Sequence, residues 1–76
     1  MPDLQKFIEA LKDYLTVEFQ ATIIEADAGY TFKVNIAGKE AAMRVSHAEY
    51  KFYKGNDMEK LMAEAISYKV NHAHLL

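Results

Sequence analysis

The chain contains no cysteine, one proline and three glycines among its 76 residues. Without cysteine, neither the disulfide frameworks of small secreted domains nor thiolate zinc sites are available. No apolar run approaches the roughly 20 residues of a membrane span, and charges interrupt the N-terminal segment MPDLQKFIEALKDYL too often for a signal peptide. We therefore expect an intracellular protein, in the cytoplasm and away from membranes.

The sequence also lacks a strong net charge and the motifs of catalysis. Its formal charge of −2 gives no general attraction to phosphate backbones or anionic lipid, so nucleic-acid binding is not expected. The glycines are widely spaced, and no nucleophile with a base or paired carboxylates stands out. Ser46 and Ser67 are predicted to be a helix cap and a polar helix-face residue. The sequence thus predicts no enzyme and no cofactor.

What is present is the composition of an ordinary globular domain, with 51% hydrophobic and 26% charged residues. A chain of this length cannot divide its buried surface between two cores, because small chains bury only about 60% of the surface that they expose when unfolded. We therefore predict one small domain over residues 1–76.

Hydrophobic periodicity predicts one helix followed by three strands. Apolar residues at spacings of three and four favour an amphipathic helix capped by Asp3; they are Leu4, Phe7, Ile8, Leu11, Tyr14 and Leu15. Apolar residues then alternate over 17–24, 30–36 and 41–45, which is typical of half-buried strands. Turns at Asp27-Ala28-Gly29 and Ala37-Gly38-Lys39 make these strands a meander.

A last helix is predicted from a capping box of Asn56 and Glu59 to about Asn71. Its apolar stripe comprises Met58, Leu61, Met62, Ala65, Ile66, Tyr68 and His72. The predicted fold is α+β, in the order α-β-β-β-(short α)-α, with a three-stranded antiparallel meander and both main helices packed on one face. Its predicted buried core includes Leu11, Phe19, Phe32, Val34, Met43 and Leu61.

The segment EYKFYK, residues 49–54, alternates aromatic rings with lysines and permits two interpretations. A strand would need a bulge near Ser46-His47, whereas a short helix would be capped by Ser46 and Glu49 without any defect. We favour the helix over residues 47–54. In that helix Phe52 is predicted to pack into the core with Ala48, and at least one tyrosine is predicted to keep its hydroxyl at the surface.

The element order and the passage YTFKVNIAGKEAAMRV resemble the double-stranded RNA-binding domain, in its topology and its second and third strands. That family binds duplex RNA through a basic cluster at the start of its last helix and a histidine-bearing loop between its first two strands. Here the corresponding segments are GNDMEK, 55–60, and EADAG, 25–29, which lack those binding residues, and Asp57 and Glu59 would repel phosphate. The alternative function is that of a divergent member of this fold, which still binds RNA weakly through Lys51, Lys54 and Lys60.

The three histidines, His47, His72 and His74, are candidate metal ligands. His72 and His74 stand about 200° apart on a helix, so one metal ion could not take both without unwinding it, and His47 is remote in sequence. We expect a half-buried His72, an exposed His74 and no metal site.

The remaining candidate is the sheet face that points away from the helices. Its proposed partner-binding residues are Gln20, Thr22, Lys33, Asn35 and Arg44. Such a face either contacts a partner or simply lies in water, which antiparallel sheets tolerate. The favoured function is a non-catalytic protein-binding module, a small regulator or inhibitor that acts by contact with a protein partner or by self-association as a homodimer.

Overall fold

A computed structural model describes residues 2–53 and 57–72 of the chain. Its elements are α1 (Leu4–Lys12), β1 (Gln20–Ala26), β2 (Gly29–Ile36), β3 (Lys39–Ser46), α2 (His47–Phe52) and α3 (Met58–His72). The strands form one antiparallel sheet in the order β1-β2-β3, and α1 and α3 pack together on one of its faces. The predicted α+β fold is therefore confirmed.

Helix α1 begins where predicted but ends earlier. The Asp3 carboxylate accepts hydrogen bonds from the backbone N–H groups of Gln5 and Lys6, which is the expected N-cap. Phe7, Leu11 and Leu15 are buried, but the helix ends at Lys12 and a turn follows. Leu4 and Tyr14, which the periodicity placed on the inner stripe, are instead exposed.

The sheet is built from two tight hairpins. β1 begins at Gln20 rather than near residue 17, and its central residue Ile23 lies opposite Phe32, which in turn lies opposite Met43. At the second hairpin Ala37 and Gly38 both have positive φ, and the Asn35 side chain accepts a hydrogen bond from the Gly38 N–H. This is the geometry that two-residue hairpin turns require.

Gly29 is required at the first hairpin. Its φ of 154° lies in a region that residues with a Cβ rarely adopt, and an added Cβ would collide with the carbonyl oxygen of Val45 on β3. The glycine therefore allows β2 and β3 to approach each other at the end of the sheet.

The core lies between the sheet and the pair α1–α3. The Phe7 and Phe32 rings meet edge to face, with centroids 5.0 Å apart. Of the predicted core residues, Leu11, Phe32 and Val34 are buried, whereas Phe19 and Met43 are only partly buried. The prediction for Leu61 was wrong, because 42% of its surface is exposed.

The buried face of helix α3 shares Met58, Met62 and Ile66 with the predicted stripe but is rotated away from the rest of it. The buried residues are Met58, Glu59, Met62, Ala63, Ile66, Ser67 and Val70, whereas Leu61, Tyr68 and His72 face outward. The small residues Ala63 and Ser67 lie on the buried side, where small side chains let a helix approach its neighbours closely. Ser67 was predicted to be a polar helix-face residue, but it lies on the buried face and is 2% exposed.

Glu59 joins the two main helices. Its side chain is buried, and its Oε2 accepts a hydrogen bond of 2.8 Å from the Asp3 N–H at the start of α1. The predicted partner in a capping box, Asn56, lies outside the described residues. Glu59 thus contributes to the packing of α3 on α1.

The helical interpretation of the EYKFYK segment is confirmed for the residues described. The Ser46 Oγ accepts from the Glu49 N–H, and the Glu49 carboxylate accepts from the Ser46 N–H, both at 3.0 Å. This capping box starts α2 directly at the end of β3 without a bulge.

Across residues 2–53 and 57–72, each helix is too short or too polar to traverse a lipid bilayer.

Candidate functional site

The sheet face opposite α1 and α3 carries three rows of cross-strand neighbours, which we call the outer face. The rows are Gln20–Asn35–Glu40, Thr22–Lys33–Ala42 and Ile24–Thr31–Arg44. Side chains alternate along each strand, and the intervening residues such as Phe32 and Val34 are buried under the helices. The structure therefore brings the five predicted partner-binding residues onto one surface that none of the described helices covers.

Two of these five side chains already have partners within the sheet. The Lys33 ammonium lies 3.6 Å from a Glu40 carboxylate oxygen, and the Asn35 side chain is engaged with the Gly38 N–H. Glu40 was missed in the prediction, although it alternates with the inward-facing Ala41. The charge of Lys33 is thus partly compensated, which leaves the centre of the outer face close to neutral.

Beyond the α2 end of the outer face lies an open cavity of about 480 Å³. The row Ala26–Gly29–Ser46 has no large side chain, so a depression remains between Arg44 on one side and Glu49 on the other. The hydrogen bonds from the Ser46 N–H and hydroxyl hold the pKa of Glu49 below its usual value. This cavity presents a cation and an anion to the same small volume.

Within α2, Tyr50 packs against the core. Its ring packs edge to face on Tyr30 with centroids 5.1 Å apart, and His47 packs on Tyr30 in the same manner at 4.8 Å. Burial raises the pKa of Tyr50, and the Glu59 carboxylate adds to that effect. The contact with Tyr30 places Tyr50 against β2.

Phe52 faces solvent and not the core. It is 81% exposed, with Tyr53 beside it at a centroid distance of 5.3 Å, and Ala48 is also exposed. The prediction that Phe52 packs into the core was wrong, because α2 presents one side to the sheet and Tyr50 occupies it. Residues two apart point about 200° away from each other on a helix, so Phe52 must turn outward.

Of the three lysines of the alternative RNA surface, the structure describes two, and these two lie on different helices. Lys51 lies on α2 and Lys60 on α3, both exposed, and Lys54 is outside the described residues. Lys60 is one helical turn from Asp57 and Glu64, which are exposed acidic residues. The surroundings of Lys60 are therefore mixed in charge rather than basic.

The histidines make local contacts. His47 Nε2–H donates to the Ala26 carbonyl at 2.9 Å. The His72 ring stacks on Tyr68 at 3.8 Å, and its Nδ1–H donates to the Tyr68 carbonyl. His72 is exposed rather than half-buried, and His74 lies outside the described residues. Among residues 2–53 and 57–72, no three metal-ligating side chains come together.

Comparison with known proteins adds no assignment: no family model, no curated protein and no solved structure matches this chain.

Proposed function

We propose that this protein is a non-catalytic protein-binding module, a small regulator or inhibitor in the cytoplasm that docks a protein partner on the outer face. The observation that supports this proposal is the one-sided packing of the helices. Because α1 and α3 cover the same side of the sheet, the described helices leave three cross-strand rows open. The docking residues in this proposal are Gln20, Thr22, Lys33, Asn35 and Arg44.

The chemistry of the outer face fits a protein partner better than a polyanion. Protein interfaces are depleted of charge at their centre, and here the central positions are threonine, alanine and a lysine paired with Glu40. Arg44 stands at one end of the face beside the open cavity. A partner with a neutral centre and one acidic group near Arg44 would match this arrangement.

The buried polar groups support a non-catalytic role. The Glu59 carboxylate is used at the α1 N-terminus, and the Ser67 hydroxyl has no hydrogen-bond partner within the described structure. A serine nucleophile needs a base within hydrogen-bond reach. Neither group therefore has the surroundings of a catalytic residue.

The test is affinity capture from native lysate, at low and high salt, with a matched pair of charge-reversal variants. The variant Lys33→Glu/Arg44→Glu changes the outer face, and the control Lys6→Glu/Lys12→Glu makes the same change on exposed α1 positions. We expect the wild type and the control to retain one salt-resistant partner that the outer-face variant loses. Equal capture by the two variants would show that the partner docks elsewhere.

A second candidate function has one observation in its favour, the exposed ring of Phe52 beside Lys51. Aromatic rings stack on bases and lysines neutralise phosphates, so weak RNA binding would use Lys51, Lys54 and Lys60 with this ring. Titration of a labelled RNA with Phe52→Ala and with Lys51→Glu/Lys60→Glu tests it. A salt-sensitive affinity that both variants lose, and that Lys6→Glu/Lys12→Glu keeps, would favour this function over the first.

We also propose that the protein associates with itself as a homodimer. A short sheet ends in strands whose outer backbone groups lack a strand partner, and such edges readily pair with another chain. Light scattering over a wide concentration range tests this part separately, since a mass that stays at 8.7 kDa would contradict it.

A further inference from the structure

The direction of the backbone groups at the two edges of the sheet follows from the contacts. Lys69 Nζ donates to the Ala42 carbonyl at 3.1 Å, so Ala42 points its carbonyl away from β2. Hydrogen-bonding direction alternates along and across antiparallel strands. Thr22 therefore bonds to Lys33 of β2, whereas Ala21, Ile23 and Glu25 point their N–H and C=O groups outward from β1.

The edge of β3 is protected against another strand. Lys69 occupies the Ala42 carbonyl, and the Glu49 carboxylate occupies the Ser46 N–H. Lys39, Glu40 and Arg44 add charges along the same strand. Charged side chains and covering contacts are the usual means by which sheets avoid edge pairing.

The edge of β1 has no comparable protection. Its seven residues, QATIIEA, include one charge, Glu25, and neither proline nor lysine. Among the described residues, no hydrogen bond from outside the sheet reaches the outward groups of Ala21, Ile23 or Glu25. Beside this edge lies an open groove of about 630 Å³ between α1 and the start of β1, lined in part by Ile8, Leu15, Val17, Phe19 and Ala21.

We infer that β1 pairs antiparallel with β1 of a second copy of this chain, with Ile23 on the two-fold axis. This inference rests on the self-association part of the proposed function and assigns its surface and register. Only with Ile23 opposite Ile23 of the other copy does the whole of Gln20–Ala26 pair with itself. The outward residues then meet one another, and they form about six intermolecular hydrogen bonds.

The charges of β1 are compatible with this pairing. In the register centred on Ile23, Glu25 lies opposite Ala21 of the other copy, and Thr22 lies opposite Ile24. In this register no like charges lie opposite each other, and the dimer therefore avoids the repulsion that such pairs cause. The strand is therefore self-complementary in this register, and a second copy of the chain can pair with it along its whole length.

A charge-exchange pair of variants tests the register on exposed outer-face positions. Thr22→Glu/Ile24→Lys places opposite charges across the two-fold axis, whereas Thr22→Glu/Ile24→Glu places like charges there. We expect the first to remain dimeric and the second to raise the dimer dissociation constant about tenfold, measured by light scattering and sedimentation. Circular dichroism verifies that both variants are folded.

Disulfide trapping is a second measurement. Because the chain has no native cysteine, only the introduced cysteines can form a disulfide. Thr22→Cys mixed with Ile24→Cys should form a disulfide-linked dimer, while either variant alone should not, since its two cysteines would lie beyond the roughly 7 Å that a disulfide spans. Trapping of Thr22→Cys alone would overturn the register.

The outcomes separate this inference from the docking proposal. A wild type that remains monomeric at all concentrations overturns the β1 dimer, whereas partner docking on the outer face is scored by capture with the Lys33→Glu/Arg44→Glu variant. A dimer that is equally stable in both charge-exchange variants overturns the β1 interface while leaving self-association intact.

Discussion

The two edge strands of this sheet have similar lengths but different surroundings. β3 is flanked by α3 through the contact of Lys69 with Ala42, and its last N–H is bonded by Glu49 at the start of α2. β1 follows a loop and keeps its outward backbone groups free of any such contact in the described part of the chain. The difference shows that protection of an edge depends on which helices reach it, and α2 and α3 both contribute a side chain at β3.

The same difference is visible in the side chains. β3 carries lysine, glutamate and arginine, while β1 has a single glutamate near its end. Edges that must stay unpaired are typically charged, and an uncharged edge is available for pairing. A change in the core affects both edges, whereas a change at one edge strand or its contacts affects that edge alone.

The largest effect is expected from Phe32→Ala. Phe32 lies in the central strand opposite Ile23 and Met43 and packs on Phe7, so it supports both edge strands. The cavity should lower the free energy of unfolding by about 3–5 kcal/mol. Thermal and urea unfolding measure this loss, and a melting temperature close to that of the wild type would contradict the assigned core.

Gly29→Ala should destabilise β3 more than β1, because the new Cβ collides with the Val45 carbonyl on β3 and not with β1. We expect a loss of about 1–3 kcal/mol from the strained backbone and the displaced strand. Hydrogen exchange should then show faster exchange in β3 than in β1. The control is Gly38→Ala, which meets no neighbouring atom but also has positive φ.

Removal of the capping box should release the α2 end of β3. Ser46→Ala removes the acceptor for the Glu49 N–H and should cost about 1 kcal/mol. Because the pKa of Glu49 is lowered in the folded state, its contribution is present above the ordinary value of 4.5 and is lost as the pH falls through the lowered value. Glu49→Gln should flatten this acid limb of the stability curve, and an unchanged limb would contradict the role of Glu49.

The smallest change in stability is expected from Lys69→Met, which removes the donor to the Ala42 carbonyl. The effect on unfolding should stay within about 0.5 kcal/mol, because the lysine is on the surface. Its consequence is association, since β3 would then resemble β1 and gain an open carbonyl. Light scattering should show larger species than the wild type at high concentration, and Lys12→Met, on exposed α1, should not.

Local patterns predicted the elements correctly and the buried faces incompletely. The caps of α1 and α2 depend on Asp3, Ser46 and Glu49, whose side chains reach backbone groups only two or three residues away, so the sequence is sufficient to find them. Glu59 was assigned to a local cap but bonds to Asp3, which is 56 residues away. A contact of that separation leaves no signal in a local pattern.

The outer face was predicted because strand alternation has a period of two and assigns each residue to a side. Helix α3 gave a different result, since its residues provide two adjacent stripes that a helix could bury. Leu61 and Tyr68 lie on one, and Ala63 and Ser67 on the other. Contact with α1 selected the stripe with the smaller side chains, and the sequence pattern does not contain that choice.

By itself the sequence determined the order of elements, the caps, the hairpins and the side of the sheet on which each strand residue lies, because these follow from short-range sterics and hydrogen bonds. Tertiary structure alone decided which stripe of α3 is buried and that Tyr50 occupies the place predicted for Phe52. It also decided that Lys69 covers one edge of the sheet while β1 stays open. These outcomes depend on how elements distant in sequence compete for the same core and the same edge.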